Sequence, residues 1–535
     1  MSLLDALNVG RTHNGGSVID IWLAGVGDSV TENDNHGNIQ TTSVGYADAD
    51  LAKMTQFLSS IEDYIDVDFR LVTEQSQADV EIYFDPDFGA INGYYGWAGW
   101  NSASNNTYLA LDGTLDQLDP GSSFYTLLLH ELGHYFALEH PFDSEQGTEV
   151  IQGYSADSTL ADYNLNQVVH TVMSYNWEYQ SWADPTVSFY SNPETYSALD
   201  VAVLQNLYGI NTNYANGDDT YYLSDSGGFQ LIWDTGGNDT IAYVGAGNAH
   251  LDLRSATLEY EDGGGGFLSY GDVSFSAQAF AIAASTNIEN AIGADGADWL
   301  MGNADRNILN GNAGTDTLSG GAGDDRLDGG DDADNLDGGS GNDTLNAGSG
   351  ADIVVDPLGN DNVEAGSGHD RVVLYSGINT VLGGTGNDLL VGGIQGDAIF
   401  GGDGNDLLKG DVGLGLTGGA DTLIGESGND IMMGGIGADV FVFRPNGGND
   451  TIAGGDGSDV SFDPNTGYSL TAMYQDFEVG IDHIQLEGFS TVNSSNVMSF
   501  VSSAAQGAVF SAEGTDIAIY GVDAVSLTVD DFLFL

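Results

Sequence analysis

Apolar residues follow two different rhythms along this chain. Between Ala47 and Ile65 they recur at helical spacing, as Leu51, Met54, Phe57, Leu58, Ile61 and Ile65, which predicts an amphipathic helix. The runs VDFRLVTE and ADVEIYFD predict two short strands, the second alternating with period two, and TYLALD predicts a third. Tyr125 to Leu138 predicts a second helix, and Asp200 to Tyr208 a third, ended by Gly209. From about residue 217 the rhythm changes and glycine and aspartate dominate. Residues Gly293 to Lys409 divide into thirteen consecutive blocks of nine without a break in register, as in GGAGDDRLD (320–328), GGSGNDTLN (338–346) and GGDGNDLLK (401–409). Position eight of the block is apolar throughout, including Leu318, Leu327, Leu336, Leu345, Leu390 and Leu408.

Position six carries the second regularity. It is Asp298, Asp316, Asp325, Asp334, Asp343, Asp352, Asp361, Asp370, Asp388, Asp397 and Asp406, with Asn307 and Asn379 in the two remaining blocks. After a six-residue insertion the period resumes with Asp421, Asp430 and Asp439. This is the GGxGxDxUx pattern of a parallel β-roll, as in RTX proteins. Glycines permit tight turns and left-handed backbone. The apolar position eight points inward from a short strand. The Asp carboxylates and turn carbonyls offer oxygen to calcium. A flexible Gly-rich linker would have no reason to keep position eight apolar over so many blocks. Two blocks make one coil, so thirteen predict a rod of roughly 30 Å. The candidate calcium ligands are Asp298, Asp316, Asp325, Asp334, Asp343, Asp352, Asp388, Asp397, Asp406, Asp421, Asp430 and Asp439. The middle blocks DPLGNDNVE and LYSGINTVL are degenerate, and Asp361 in the first of them is left out of the set, as is Asp370 in the block between them.

Charge sharpens this picture. There are 80 acidic residues against 9 Lys plus Arg, a formal net of -71 over 535 residues. Such a chain repels nucleic acid. The acidity reads both as a surface suited to salty water and as a supply of calcium ligands. Cysteine is absent, so bound metal is the candidate for the role disulfides often play in secreted proteins. No apolar run approaches the length needed to span a bilayer, so membrane insertion is not expected. The opening MSLLDALNVGRTHNGG has neither a basic start nor an apolar core, so no Sec-type signal is expected there.

The chemistry concentrates in TLLLHELGHYFALEHP. His130 and His134 are four apart, so a helix sets both imidazoles on one face toward a common ion. Zinc held by three protein nitrogens keeps a fourth position open for water. Glu131 is placed as the general base toward that water, for metal-assisted hydrolysis of a peptide bond. His140 reaches the ion only if the helix ends after His134 and the chain turns back. A solvated helix with chance histidines is the bland alternative. Against it, three of the chain's 9 histidines fall within eleven residues, behind an apolar lead-in.

Downstream, HTVMSYN with Met173 and Tyr175 resembles the Met-turn of metzincins. With HELGHYFALEHP, DVAVLQNLYG, WDTGGNDT, GGIGADVFVF and the final DDFLFL, the chain resembles the serralysins, RTX-bearing bacterial metzincins, over nearly its whole length. The resemblance implies an α+β multidomain protein. A metzincin-like α/β catalytic domain would occupy 1–212, and the junction with the start of the C-terminal domain 213–292. A calcium-binding RTX β-roll would follow at 293–460, then a β-sandwich with a C-terminal secretion signal at 461–535. It implies zinc on His130, His134 and His140, Glu131 as base, and Tyr175 assisting at the ion or the developing oxyanion. It also implies calcium, protein or peptide substrates, release to the exterior by a type I (ABC) exporter, and a monomer. His170 is expected to be structural. One departure stands out: Ala137 occupies the place of the glycine that normally permits the turn toward the third histidine, and Ala tolerates positive φ poorly. A calcium-ordered adhesive or surface-layer protein with an inactive protease domain is the alternative that Ala137 favours.

Overall fold

The helical stripe near the N-terminus works as its spacing predicts. Helix α1 spans Leu51–Glu62 and buries Met54, Phe57, Leu58 and Ile61. Each such side chain, fully buried, contributes roughly 1.5–3 kcal/mol. The molecule is seen in a computed structural model. It describes residues 17–34, 37–86, 96–101, 106–138, 140, 167, 169–174, 178–180, 188–190, 192–259, 261, 264–271, 278–412, 418–453, 460–463, 467–470 and 477–535.

Helix α1 covers a five-stranded sheet in the order Val67–Val72, Ser17–Leu23, Val80–Phe84, Asn106–Leu111, Gly96–Asn101. The first four strands are parallel and the last is antiparallel at the edge. Two features depart from the sequence reading. Ser17–Leu23 is an interior strand no expectation covered, with Ile19, Ile21 and Leu23 buried. Val80–Phe84 does not alternate in burial, because all five residues are buried. As an interior parallel strand it is covered on both faces. Glu81 is tolerated there because the Tyr83 hydroxyl donates to its Oε2 at 3.0 Å and Gln75 Nε2 donates at 3.1 Å.

Helix α2, Ser123–Tyr135, begins at Ser122, whose hydroxyl accepts the Tyr125 N–H at 3.1 Å. Helix α3, Ala198–Tyr208, ends at Gly209, which takes φ +90°. By its contacts the chain forms two compact units, one running to Gly245 together with His250–Ile288, the other Ala246–Ala249 with Glu289–Leu535. In the first unit Phe229, Leu231, Trp233, Leu268, Ala279 and Ala281 share one core with α1, α2 and α3. The described residues of 213–245 and 250–288 therefore belong to the same unit as the helices.

The second unit is a parallel β-roll. Strands eighteen residues apart pair in register, as Leu309 with Leu327, Leu327 with Leu345 and Leu318 with Leu336. Position eight forms the interior: Leu300, Leu309, Leu318, Leu327, Val354, Val363, Val372, Val381, Leu390, Ile399 and Leu408 are all fully buried. The second glycine of the block is left-handed, φ +103° at both Gly321 and Gly402. Where glycine is missing, Asn312 and Asp332 take φ +75° and +74°, the side chains that tolerate this backbone best. At the C-terminal end both sheets continue. His483–Leu486 and Phe532–Phe534 extend one in parallel. Thr515–Tyr520, Gly507–Ala512 and Val501–Ala504 extend the other, the last two antiparallel. Phe441, Phe477 and Phe510 are buried there, giving the expected sandwich.

Candidate metal centres

Helix α2 sets His130 and His134 one turn apart, and α2 ends where the third histidine requires. Ala137 adopts φ +69°, its N–H donates to the His134 carbonyl at 3.1 Å, and the Leu138 N–H donates to the Gly133 carbonyl at 2.9 Å. The turn expected of glycine is thus formed by alanine, at a conformational cost of roughly 1–2 kcal/mol. The chain reverses, and one ring nitrogen each of His130, His134 and His140 lies within 4.8 Å of the others. The ring centroids stand 4.8 to 5.2 Å apart.

The outer ring atoms fix the orientation. His130 Nδ1 donates to the Val172 carbonyl at 2.9 Å, and His134 Nδ1 donates to the Leu138 carbonyl at 3.1 Å. With the proton on Nδ1, each ring turns its Nε2 lone pair inward. His130 Nε2 and His140 Nε2 are 3.2 Å apart. Two nitrogens on one tetrahedral zinc, at roughly 2.0–2.1 Å each, stand about 3.3 Å apart. The donor set and its spacing therefore fit zinc. Burial first, and the neighbouring imidazole second, push His130 down to about 3 and His134 down to about 4, so both are neutral at pH 7 and able to ligate. Burial pushes the Glu131 carboxyl up to about 8. Its carboxylate lies against the backbone of Gly96 on the edge strand, where any Cβ would collide with it.

Beneath the histidines sits the turn around Met173. A Cβ on Gly133 would lie 2.8 Å from Met173 Sδ, so the glycine within the helix makes room for the sulfur. Asp200, fully buried at the start of α3, ties the turn down. It accepts from Thr171 Oγ1 at 2.6 Å, from the Val172 N–H at 2.8 Å and from the Ser197 N–H at 3.1 Å. The backbone of Val172 thus joins Asp200, through its N–H, to His130, through its carbonyl. Sequence reasoning did not single out Asp200; a capping position three residues after Ser197 was its only signal. His170 stands outside the histidine group and bonds the Gly265 carbonyl through Nδ1 at 3.2 Å. Tyr175 lies outside the described residues.

In the roll, position six builds two continuous rows. One runs through Asp298, Asp316, Asp334, Asp352, Asp370, Asp388, Asp406 and Asp430 to Asp450. The other runs through Asn307, Asp325, Asp343, Asp361, Asn379, Asp397, Asp421 and Asp439 to Asp482. In both, Oδ1 accepts the N–H of the residue one coil earlier. Oδ2 of Asp316, Asp325, Asp334, Asp352, Asp388, Asp397, Asp406, Asp421 and Asp430 is buried with no hydrogen-bond partner. Asp298 differs, since the Ala249 and Ala294 N–H groups occupy both its oxygens. Asp450 and Asp482 were missed, although GGNDT and VGIDHI repeat the Gly-x-Asp-x signal.

A family model for the RTX calcium-binding nonapeptide repeat matches residues 292–327, 319–354, 358–381, 373–408, 417–441 and 446–460. A serralysin of Proteus mirabilis is 33% identical over 196 residues, 34% of this chain and 36% of that protein. A serralysin of Photorhabdus laumondii is 32% identical over 279 residues, 47% of this chain and 52% of that protein. The metalloprotease AprA of Pseudomonas entomophila is 32% identical over 206 residues, 36% of this chain and 39% of that protein. The chain is similar to the serralysins and carries RTX calcium-binding repeats. It spans from about a third to about half the length of these curated relatives.

The RTX-repeat roll also fits calcium. The orphaned donors are all oxygen, which suits a hard ion. Beside Gly401 a Cβ would lie 2.6 Å from Asp406 Oδ2 and 2.7 Å from the Gly425 carbonyl oxygen, so a carboxylate and a carbonyl converge where glycine leaves space. Burial pushes Asp325, Asp334, Asp397 and Asp406 up to about 7, and Asp421 and Asp430 up to about 8. An ion in these turns would offset those shifts, because its charge favours the ionised carboxylates. Asn379 needs none, because its Nδ2 donates to the Gly392 carbonyl at 2.8 Å while its Oδ1 accepts the Asp361 N–H.

Proposed function

We propose that the chain is a secreted, zinc-dependent endopeptidase of extracellular proteins, folded and exported with the help of a calcium-ordered roll. The carrying observation is the approach of three imidazoles, with the His130 and His140 Nε2 atoms 3.2 Å apart. His130, His134 and His140 would hold zinc, which when bound polarises a carbonyl and acidifies a water. Glu131 would take the proton of that water and deliver it to the leaving amine. Its burial, which raises its proton affinity, suits a base that must also act as an acid. Tyr175 would assist at the developing oxyanion. The edge strand Gly96–Asn101, against which Glu131 rests, offers its backbone to an extended peptide.

Calcium on the position-six aspartates would neutralise carboxylates that otherwise repel, so that binding becomes folding free energy. The exporter reading supports a timed switch. Phe532–Phe534 pairs with Ile484–Leu486 in the folded unit, so an exporter that reads these residues as a free segment would act before that pairing forms. Among the described residues no helix is long and apolar enough to cross a membrane. A monomeric enzyme needing no partner but its substrate and exporter completes the proposal.

The test is Glu131→Ala. It should keep zinc, because Glu131 is no ligand, and lose roughly a hundred- to ten-thousand-fold in casein hydrolysis. Equal cleavage by the variant would overturn the mechanism. Zinc binding with no cleavage by the parent would point instead to an inactive protease domain on an adhesive protein.

A further inference from the structure

The degenerate middle of the roll is where the repeat breaks its own rule. Position one of the block is glycine in its regular copies, yet in DPLGNDNVE it is Asp356. The repeat family's matches stop at 354 and resume at 358, so this residue belongs to no matched copy. Its side chain enters the interior instead of replacing a turn hydrogen. Oxygens of Asp343, Asp356 and Asp361 lie within 4.8 Å of one another, and all three residues are buried, at 1%, 0% and 2% exposure.

The bonding of each carboxylate is divided in the same way. One oxygen is committed to backbone: Asp343 Oδ1 accepts the Asp325 N–H, Asp361 Oδ1 accepts the Asp343 N–H, and Asp356 Oδ1 accepts the Leu358 N–H at 3.2 Å. The other oxygen, Oδ2 in all three, is buried with no N–H or hydroxyl donor, and the Asp343 and Asp356 carboxylates face each other closely enough to share a proton if no cation lies between them. Two of these point at one spot, for a Cβ on Gly338 would meet Oδ2 of both Asp343 and Asp356. Three buried carboxylates at this spacing cannot stay ionised together without a counter-charge.

We propose that Asp343, Asp356 and Asp361 form a modified turn site for one divalent cation of the calcium class, in which Asp356 adds a carboxylate ligand that the nine-residue repeat does not supply. Three carboxylates give it more negative charge than a turn site that draws on position six alone, so it is the tightest site of the roll. An oxygen-only, water-poor site suits calcium better than magnesium, which dehydrates reluctantly. The site clamps together the coils at the point where the regular turn sequence fails. The proposal rests on the reading that the roll binds calcium.

The experiment uses the full chain and calcium itself. Asp356→Gly restores the residue the repeat carries at this position. With free calcium buffered so low that only the tightest sites fill, it should bind one ion fewer per chain than the parent, while the circular dichroism in excess calcium stays the same. Asp356→Asn keeps the side-chain shape and gives a second reading by thermal melts. It should melt higher than the parent in chelator, where repulsion is relieved, and lower in saturating calcium. Equal ion counts overturn the site. A variant that melts higher in both conditions also overturns it, since protons then hold the cluster. Uptake by neither chain would mean that the calcium reading of the roll itself fails.

Discussion

Ala137 shows how one methyl group can stand against a turn without abolishing it. At φ +69° it is strained, yet its N–H and that of Leu138 close the helix, and Leu138 then holds His134. The surrounding core overrides the local preference, because Ala137 itself is buried beside Phe136 and Leu138. The cost should be recoverable. Ala137→Gly is expected to stabilise the N-terminal unit by about 1 kcal/mol, since glycine takes this backbone freely. Chemical denaturation of the two proteins would measure it, and zinc retention after dialysis should be equal or better. A less stable variant would mean that the buried methyl outweighs the strain.

At the level of elements, the zinc-candidate helix is oriented by a turn that another helix anchors. Asp200 on α3 holds Thr171 and Val172, and Val172 holds His130. Burial pushes Asp200 up to about 7, so the three donors it satisfies are what keep a carboxylate there. Asp200→Asn places an NH2 against N–H donors and should loosen the Val172 carbonyl. Outer partners of this kind are typically worth 10–100-fold in metal affinity. Competition with a chelator should therefore strip zinc from the variant at correspondingly lower chelator concentration, with the helical signal retained. Unchanged zinc affinity would remove Asp200 from this role.

For the whole molecule, charge and calcium set stability together. The roll aspartates bind protons more readily folded than unfolded: Asp325, Asp334, Asp370, Asp397 and Asp406 sit near 7, against 3.8 for an ordinary Asp. A raised carboxyl stabilises the fold fully below the unfolded value. That contribution is lost as pH rises through the folded one. In chelator the roll should thus melt at lower temperature as pH goes from about 4 to about 8. Calcium reverses the sign, because the ionised carboxylates then hold the ion. In millimolar calcium the melting temperature should rise over the same window. Circular dichroism melts across pH with and without calcium would read both slopes, and parallel slopes would refute the calcium role. The net charge of -71 makes the calcium-free state more strained still, through general self-repulsion.

Much of this molecule was legible because its information is local. The eighteen-residue pairing of Leu309 with Leu327 follows from a nine-residue period that any window displays. The spacing of His130 and His134 is a property of one helical turn. The ladder of Asp Oδ1 on N–H likewise repeats a local pattern, and even Asp450 and Asp482 carried its signature. Other features depend on residues far apart in the chain, and no periodicity encodes them. Glu81 is buried because it lies on an interior strand, with Gln75 and the Tyr83 hydroxyl bonded to its carboxylate. Phe229 and Trp233 join the helical core because they are buried in one cluster with residues of α1 and α3. Ala137 keeps a left-handed turn because packing exceeds a small backbone preference. Asp356 read as a fault in the repeat, and only the stacking of coils set it beside Asp343 and Asp361. Sequence alone thus determined the repeat, its core and the histidine spacing, because each is a short-range regularity. Tertiary structure decided the turn to His140, the anchoring of Val172 and the company of Asp356, because those depend on which distant surfaces exclude water together.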